Sequence, residues 1–401
     1  MLSIETIKDA AAVLAGTARK TDLILSKTLL EGHDIYLKSE NLQLTGSFKL
    51  RGAYYKISKL TESEKKRGII ACSAGNHAQG TALSAQRNGI KAAIFIPASA
   101  PISKVEATRK YGAEIKLIDG VYDDAYNAAI EYQKETNGVF IHPFNDEDVI
   151  AGQGTIGLEI LEQLPDADAV IVPIGGGGLI SGIASAVKQL KPSCKVYGVQ
   201  AQGAGSMYQS YLNKKILELP KVNTFADGTA VKKPGDITFE MCMKYVDDIV
   251  TVTDDEIASA ILALMERQKL VSEGAGALST AAAMFGKLPI ENKKTVCVVS
   301  GGNIDVNILS RVINRGLLKS GRLCHLTIEL LDKPGQLKEV SSIIADLGAN
   351  VIRVRHNQGG ENTDINECFL KISMETRNAA HFEQIQKALT DRGYKIISNV
   401  Q

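Results

Sequence analysis

The chain has 401 residues, 44% hydrophobic and 23% charged, and its 46 Lys and Arg offset 45 Asp and Glu to leave a formal charge of +1. Such a composition supplies core for two or three globular domains and excludes disorder, a collagen-like fibre and a disulfide scaffold. Near-neutrality removes the electrostatic basis for gripping a phosphate backbone, so nucleic acid is not an expected partner.

The N-terminus carries Glu5, Lys8 and Asp9 and lacks an apolar run, so no secretory leader is expected. From about residue 35 to 315, apolar runs alternate with amphipathic stretches, the pattern of parallel α/β sheets covered by helices. Buried strands are expected at 68–72, 92–97, 114–118, 140–142, 169–173, 195–200, 248–252 and 295–300. Helices are expected at 78–88, 104–111, 125–135, 155–163, 178–189 and 254–268. The stretch from Ala169 to Val187 carries no charge, but Pro173 and four consecutive glycines interrupt it. It reads as strand, loop and helix, and no membrane partner is expected. An Ala- and Gly-rich segment, 274–286, points to close helix packing.

Composition changes at Lys319-Ser320-Gly321-Arg322. Beyond it, strands at 323–331, 350–357, 366–374 and 394–398 and helices at 336–347 and 379–392 follow the order β-α-β-β-α-β, a ferredoxin-like unit. The six cysteines are scattered without metal-site or redox spacing. Reduced, mostly buried thiols in a cytoplasmic protein are therefore expected, with no metal site.

Three small-residue loops each follow an expected strand: Cys72-Ser73-Ala74-Gly75-Asn76-His77, Gly175-Gly176-Gly177-Gly178 and Ser300-Gly301-Gly302-Asn303. Open parallel sheets bind ligands beyond the carboxyl ends of their strands, so the three loops can converge on one crevice. Four glycines opening a helix offer unhindered amides at the positive end of its dipole, which suits a phosphate. Neither common nucleotide fingerprint fits: the Lys-Ser/Thr of a P-loop is missing, and Ile180 stands where a third glycine should be. Lys49, preceded by Ser47 and Phe48 and followed by Gly52 and Ala53, has the small and aromatic neighbours of a desolvated, carbonyl-reactive amine.

In that order, Ser47–Lys49, Ser73–His77, Gly175–Gly178 and Ser300–Asn303 resemble the fold-type II pyridoxal-phosphate enzymes and, within them, the threonine dehydratases (threonine ammonia-lyases). Ala151-Gly152-Gln153-Gly154-Thr155 adds to the likeness, which covers about residues 20–315. The tail resembles an ACT regulatory domain through Asp332-Lys333-Pro334-Gly335-Gln336-Leu337 and Gly348-Ala349-Asn350-Val351. The resemblance implies a catalytic domain over 1–318, a smaller subdomain at about 50–147 inserted in a larger one, and an ACT domain over 322–401. It implies pyridoxal 5′-phosphate as cofactor, a small amino-acid substrate, an amino-acid effector on the tail and a homo-oligomer, commonly a tetramer.

Carried over by position, Lys49 would join the cofactor and act as base at Cα, and Gly175, Gly176, Gly177 and Gly178 would cradle its phosphate. Asn76 would bind the ring hydroxyl, Ser300 the ring nitrogen, and Phe48 and Gly228 would cover the two ring faces. Ser73, Asn76 and His77 would hold the substrate carboxylate, although a histidine opening a helix can also serve only to bind backbone. Glu273 could line the same cleft or cap a helix. Pro334, Gly335 and Asn350 would contact the effector, with isoleucine expected before valine or a nucleotide.

Three rivals stand beside this reading. A serine racemase on the same scaffold needs a second proton carrier, and similar racemases have a serine where this chain has Ala74. Their metal carboxylate is also replaced, by Gln200, with Gly205 and Ser206 following. A β-replacement enzyme is disfavoured by the Ser-Phe-Lys-x-Arg-Gly and Ser-Ala-Gly-Asn-His strings. A non-catalytic amino-acid sensor would require a decayed cofactor site, yet Lys49, the tetraglycine and Ser300 are all present.

Overall fold

The computed structural model describes residues 2–358 and 366–398, so positions 359–365 and 399–401 of the expected tail lie outside the described residues. Contacts divide the chain into two compact units, Met1–Val306 and Asn307–Gln401. The first holds β1 (Leu23–Ser26), β2 (Ile35–Ser39), β3 (Ile69–Cys72), β4 (Ala92–Pro97), β5 (Glu114–Ile118) and β6 (Val139–Phe140). It continues with β7 (Ala169–Pro173), β8 (Lys195–Ala201), β9 (Asp248–Val252) and β10 (Thr295–Val299).

Two sheets result: a six-stranded one in the order β1-β2-β10-β7-β8-β9 and a four-stranded one in the order β5-β4-β3-β6. Every pairing is parallel except β1 with β2. In chain order the smaller sheet falls between β2 and β7 of the larger. Strands β3, β4, β7 and β10 are buried along their whole length, as continuous apolar runs with helices on both faces should be.

The largest departure from the expected elements is a helix running Glu147–Gln163 where only 155–163 was expected. Gly152 and Gly154 look like loop residues in sequence, but they sit inside this helix because two other helices cross it at backbone distance. A β-carbon on Gly152 would lie 2.6 Å from Gly52 Cα, in the helix Lys49–Ser58. One on Gly182, in the helix Gly178–Leu190, would lie 2.6 Å from the Gly154 nitrogen. Asp146 starts the long helix by accepting from the amides of Asp148 and Val149. The helix Asn76–Arg87 likewise begins two residues earlier than expected and takes in Asn76 and His77.

The second unit contains β11 (Leu323–Leu331), β12 (Asn350–Gln358), β13 (Glu367–Glu375) and β14 (Lys395–Ser398), with helices Gln336–Asp346 and Ala379–Asp391. Its antiparallel sheet has the order β12-β13-β11-β14, the ferredoxin-like arrangement. Alternate residues of β11 and β13 are buried, so one sheet face carries a core with Val340, Ile343, Ile344, Ile385 and Leu389 of the two helices.

Candidate active site

The loop before Lys49 is stitched to the end of β10. Ser47 bridges Gly301, the Phe48 amide donates to the Ser300 carbonyl (3.1 Å), and the Gly302 amide donates to the Gly46 carbonyl (2.9 Å). The Phe48-Lys49 corner therefore stands beside Ser300, whose own hydroxyl lies 3.4 Å from the Ala275 carbonyl. Lys49 opens its helix, and its Nζ donates to the Pro143 carbonyl (2.7 Å) and lies 5.2 Å from the centroid of the Phe48 ring. Burial lowers its pKa to about 8, partly opposed by the Glu273 carboxylate.

Phe144, one residue past Pro143, leads to the tetraglycine loop. A β-carbon on Gly176 would fall 2.5 Å from its ring, and one on Gly178 would fall 2.9 Å from its Cα. On its other side the loop meets the segment holding Gly228, since a β-carbon on Gly175 would lie 3.2 Å from the Gly228 carbonyl oxygen. Gly177 has φ +100° and caps the helix Gly178–Leu190, whose first amides have no acceptor within the helix. Thr238 steadies the turn by donating to the Gly176 carbonyl (2.6 Å).

A polar chain closes the circuit. Asn303 donates to Asn76 Oδ1 (2.7 Å) and Asn76 donates to Glu273 Oε1 (2.5 Å). Glu273 lies under Gly301, where any β-carbon would meet its Oε1 at 2.3 Å. Burial, reinforced by the Asp227 charge, raises the Glu273 pKa to about 7. Asp227 itself is ion-paired to Lys104.

Hydrogen bonds and close approaches thus link the segments that carry Phe48, Lys49, Asn76, the four glycines, Gly228 and Ser300. Ser73 lies at the mouth of the same loop, where its hydroxyl accepts from the Gly75 amide (3.2 Å). Two assignments need adjusting. The His77 ring is buried and holds the Ile141 carbonyl at 2.8 Å, with its pKa lowered to about 3 by burial and by Lys49. A neutral imidazole spent on backbone leaves His77 to offer a substrate its main-chain amide. Asn350 stands at the opposite end of the tail sheet from Pro334 and Gly335: it pairs with Glu375 and donates to it (3.0 Å), whereas Leu331, just before the turn, pairs with Glu367. Within one chain it does not join that turn.

No sequence motif marks Phe144 or Thr238, and Asn303 has one signal, its place in Ser-Gly-Gly-Asn. Nor does the sequence mark a largely buried charge quartet. Arg51, two residues past Lys49, grips Glu40 (2.8 and 2.9 Å) and Glu159 (2.6 and 3.0 Å), and Lys38 binds Glu159 and the Thr21 carbonyl (both 2.6 Å). Two cations and two anions balance, which makes such burial tolerable and anchors the helix that carries Lys49.

The donor set fits a flat, phosphorylated cofactor: an amine of lowered pKa, a helix-opening glycine cradle, a serine hydroxyl and an aromatic ring. The profile of the family described as "Pyridoxal-phosphate dependent enzyme" matches residues 14–302. The chain is 50% identical over 398 residues to L-threonine ammonia-lyase of Thermotoga maritima, covering 99% of both. Among solved structures it resembles threonine deaminase isoform 2 of Solanum lycopersicum (TM-score 0.75, 38% identity, 78% of this chain and 88% of that one). It also resembles maize serine racemase (TM-score 0.74, 37% identity, 79% and 98%).

Proposed function

The chain belongs to the pyridoxal-phosphate-dependent enzymes, and on that footing we propose that it converts L-threonine, and L-serine by the same route, to the 2-oxo acid and ammonia. The observation that carries the reading is the circuit of contacts linking Lys49, the tetraglycine loop, Gly228, Ser300 and the Asn76–Glu273 pair. Bound there, pyridoxal 5′-phosphate supplies an electron-withdrawing ring that acidifies the amino acid's Cα–H.

The chain's own residues do the rest. Lys49, with its pKa near 8, has a neutral fraction at physiological pH and can take the Cα proton. The amides of Gly175–Gly178 would hold the cofactor's phosphate, and Phe48 and Gly228 would confine its ring. A serine at position 300 offers the ring nitrogen a hydroxyl where a carboxylate would protonate it. Such a partner at the ring nitrogen would suit chemistry that ends in loss of the β-hydroxyl. The Ser73 amide is spent on the Phe95 carbonyl (3.1 Å), so its hydroxyl and the helix-opening amides of Asn76 and His77 suit the substrate carboxylate. Glu273 can hold a proton beside Asn76 near pH 7.

Ala74 carries no proton-transferring group, which supports elimination over racemisation. Gln200 spends its amide inside the fold, accepting from the Tyr208 amide at 2.7 Å. Steady-state release of 2-oxobutyrate and ammonia from L-threonine tests the reading; racemisation of serine without oxo-acid formation would overturn it.

For the tail we propose an ACT-type regulatory role, with a branched-chain amino acid, isoleucine first, as effector. Support comes from the ferredoxin-like order and from a cavity of about 340 Å3 lined by Pro334 and Gly335. Calorimetric titration of the intact protein with isoleucine and valine, beside Gly335→Asp, checks it: absence of binding, or full regulation in the variant, rejects the role. The family resemblance supports a homo-oligomer, and six buried free thiols suit the cytoplasm.

A further inference from the structure

Three residues far apart in sequence meet at one end of the tail sheet. Gln358 pairs with Cys368, and His356 pairs with Leu370, so His356 and Cys368 project from the same face of neighbouring strands as diagonal neighbours. Cys368 also pairs with Leu330 of β11, and Asp332 follows that strand by one residue, with its amide bonded to the Asn366 carbonyl (2.8 Å). Register alone thus brings a carboxylate, an imidazole and a thiol together above the start of the helix from Gln336. Their ligating atoms all lie within 4.8 Å of one another, and all three residues line the 340 Å3 cavity.

We propose that Asp332, His356 and Cys368 form a binding site for a borderline-soft divalent transition-metal ion of the zinc type. The donor set decides the class, because magnesium and calcium prefer all-oxygen shells whereas one sulfur, one nitrogen and one oxygen match zinc. Tetrahedral bonds of about 2.0–2.3 Å put donors roughly 3.3–3.8 Å apart, so side-chain rotations of about an ångström close the shell. As the metal–sulfur bond forms, the thiol proton leaves to solvent. Carboxylate and thiolate then balance the ion's two charges around a neutral imidazole. Three protein ligands leave a fourth position open towards the cavity for water or a small ligand. The donors suffice for the ion whether or not an amino acid enters beside it.

The test uses the untagged, intact holoenzyme. After equilibration with zinc chloride and desalting, elemental analysis should find about one zinc per chain in the wild type. His356→Ala and Cys368→Ser should weaken binding by more than about 10-fold, the least that loss of even an outer-shell partner costs. L-Threonine dehydration without added metal should be unchanged in both. Because Cys368 is buried and its variant can misfold, two readouts stay on the wild type: cobalt(II) should raise a thiolate charge-transfer band, and zinc should shield Cys368 from alkylation. Failure of the wild type to retain zinc, absence of the cobalt band, unshielded Cys368 or unchanged affinity in His356→Ala would each overturn the site.

Discussion

The protein uses one device twice, in two different settings. In the first unit, β7 runs through the tetraglycine into a helix capped by Gly177 at φ +100°. In the second, β11 runs through Asp332–Gly335 into a helix capped by Gly335 at φ +98°. The backbones agree; the surroundings do not. A β-carbon on Gly177 would collide with Met207 Cε at 2.7 Å and Thr238 Cβ at 2.8 Å, whereas one on Gly335 would meet nothing within 4 Å. Glycine in the first loop thus answers both to left-handed backbone and to crowding, and in the second to the backbone alone. The crowded loop suits a resident cofactor held for many turnovers, and the open one a ligand that comes and goes.

Four measurements break or sharpen that contrast. Lys49→Ala should lower kcat by more than about 10²–10⁴-fold, the range general base catalysis alone supplies. Steady-state assay of threonine dehydration checks it, and the tail variants His356→Ala and Gly335→Ala should leave that basal rate alone. Arg51→Met leaves Glu40 and Glu159 short of a cation and should cost about 3–5 kcal/mol. Urea unfolding of the first unit, followed through the cofactor's visible band, reports this loss, and wild-type stability would show that the quartet is not an anchor.

Next comes the paired glycine experiment. Gly177→Ala should cost about 1–2 kcal/mol for left-handed backbone plus about 1–3 kcal/mol for overpacking, and should loosen cofactor retention. Gly335→Ala should show only the backbone cost, about 1–2 kcal/mol. Equal losses in the two variants would dissolve the distinction between the loops.

The last effect is electrostatic and spread over a range of pH. Burial and Asp227 raise Glu273 from 4.5 to about 7, so between those values the folded chain binds a proton that the unfolded chain has released. Stability should therefore fall as pH rises through that window, by up to about 3 kcal/mol, with no further loss above it. Glu273→Gln removes the slope, and thermal melting of cofactor-free protein between pH 5 and 8 tests its sign.

Much of the first unit was legible because its buried strands are unbroken apolar runs and its ligand loops are small-residue strings after them. What escaped was whatever depends on partners distant in sequence. Arg51, Glu40, Glu159 and Lys38 look like solvated charges until the fold pairs them. Asn350 seemed near the Pro334 turn because chain order does not show which end of a strand a residue occupies. For His77 the sequence leaves a ligand contact and a backbone contact open, and only the fold supplies the Ile141 carbonyl that decides for the second. The long helix from Glu147 was hidden by its own glycines, which are poor helix formers alone and required here by crossing backbones.

Those crossings turn Ala151-Gly152-Gln153-Gly154-Thr155 into a gauge block. The helix bearing Lys49 touches it at Gly52 and Gly152, and the helix that opens with the tetraglycine touches it at Gly182 and Gly154. The spacing between the Lys49 main chain and the tetraglycine loop is therefore set by main chain against main chain. A single added methyl at Gly152 or Gly154 would press the two helices away from the block that spaces them.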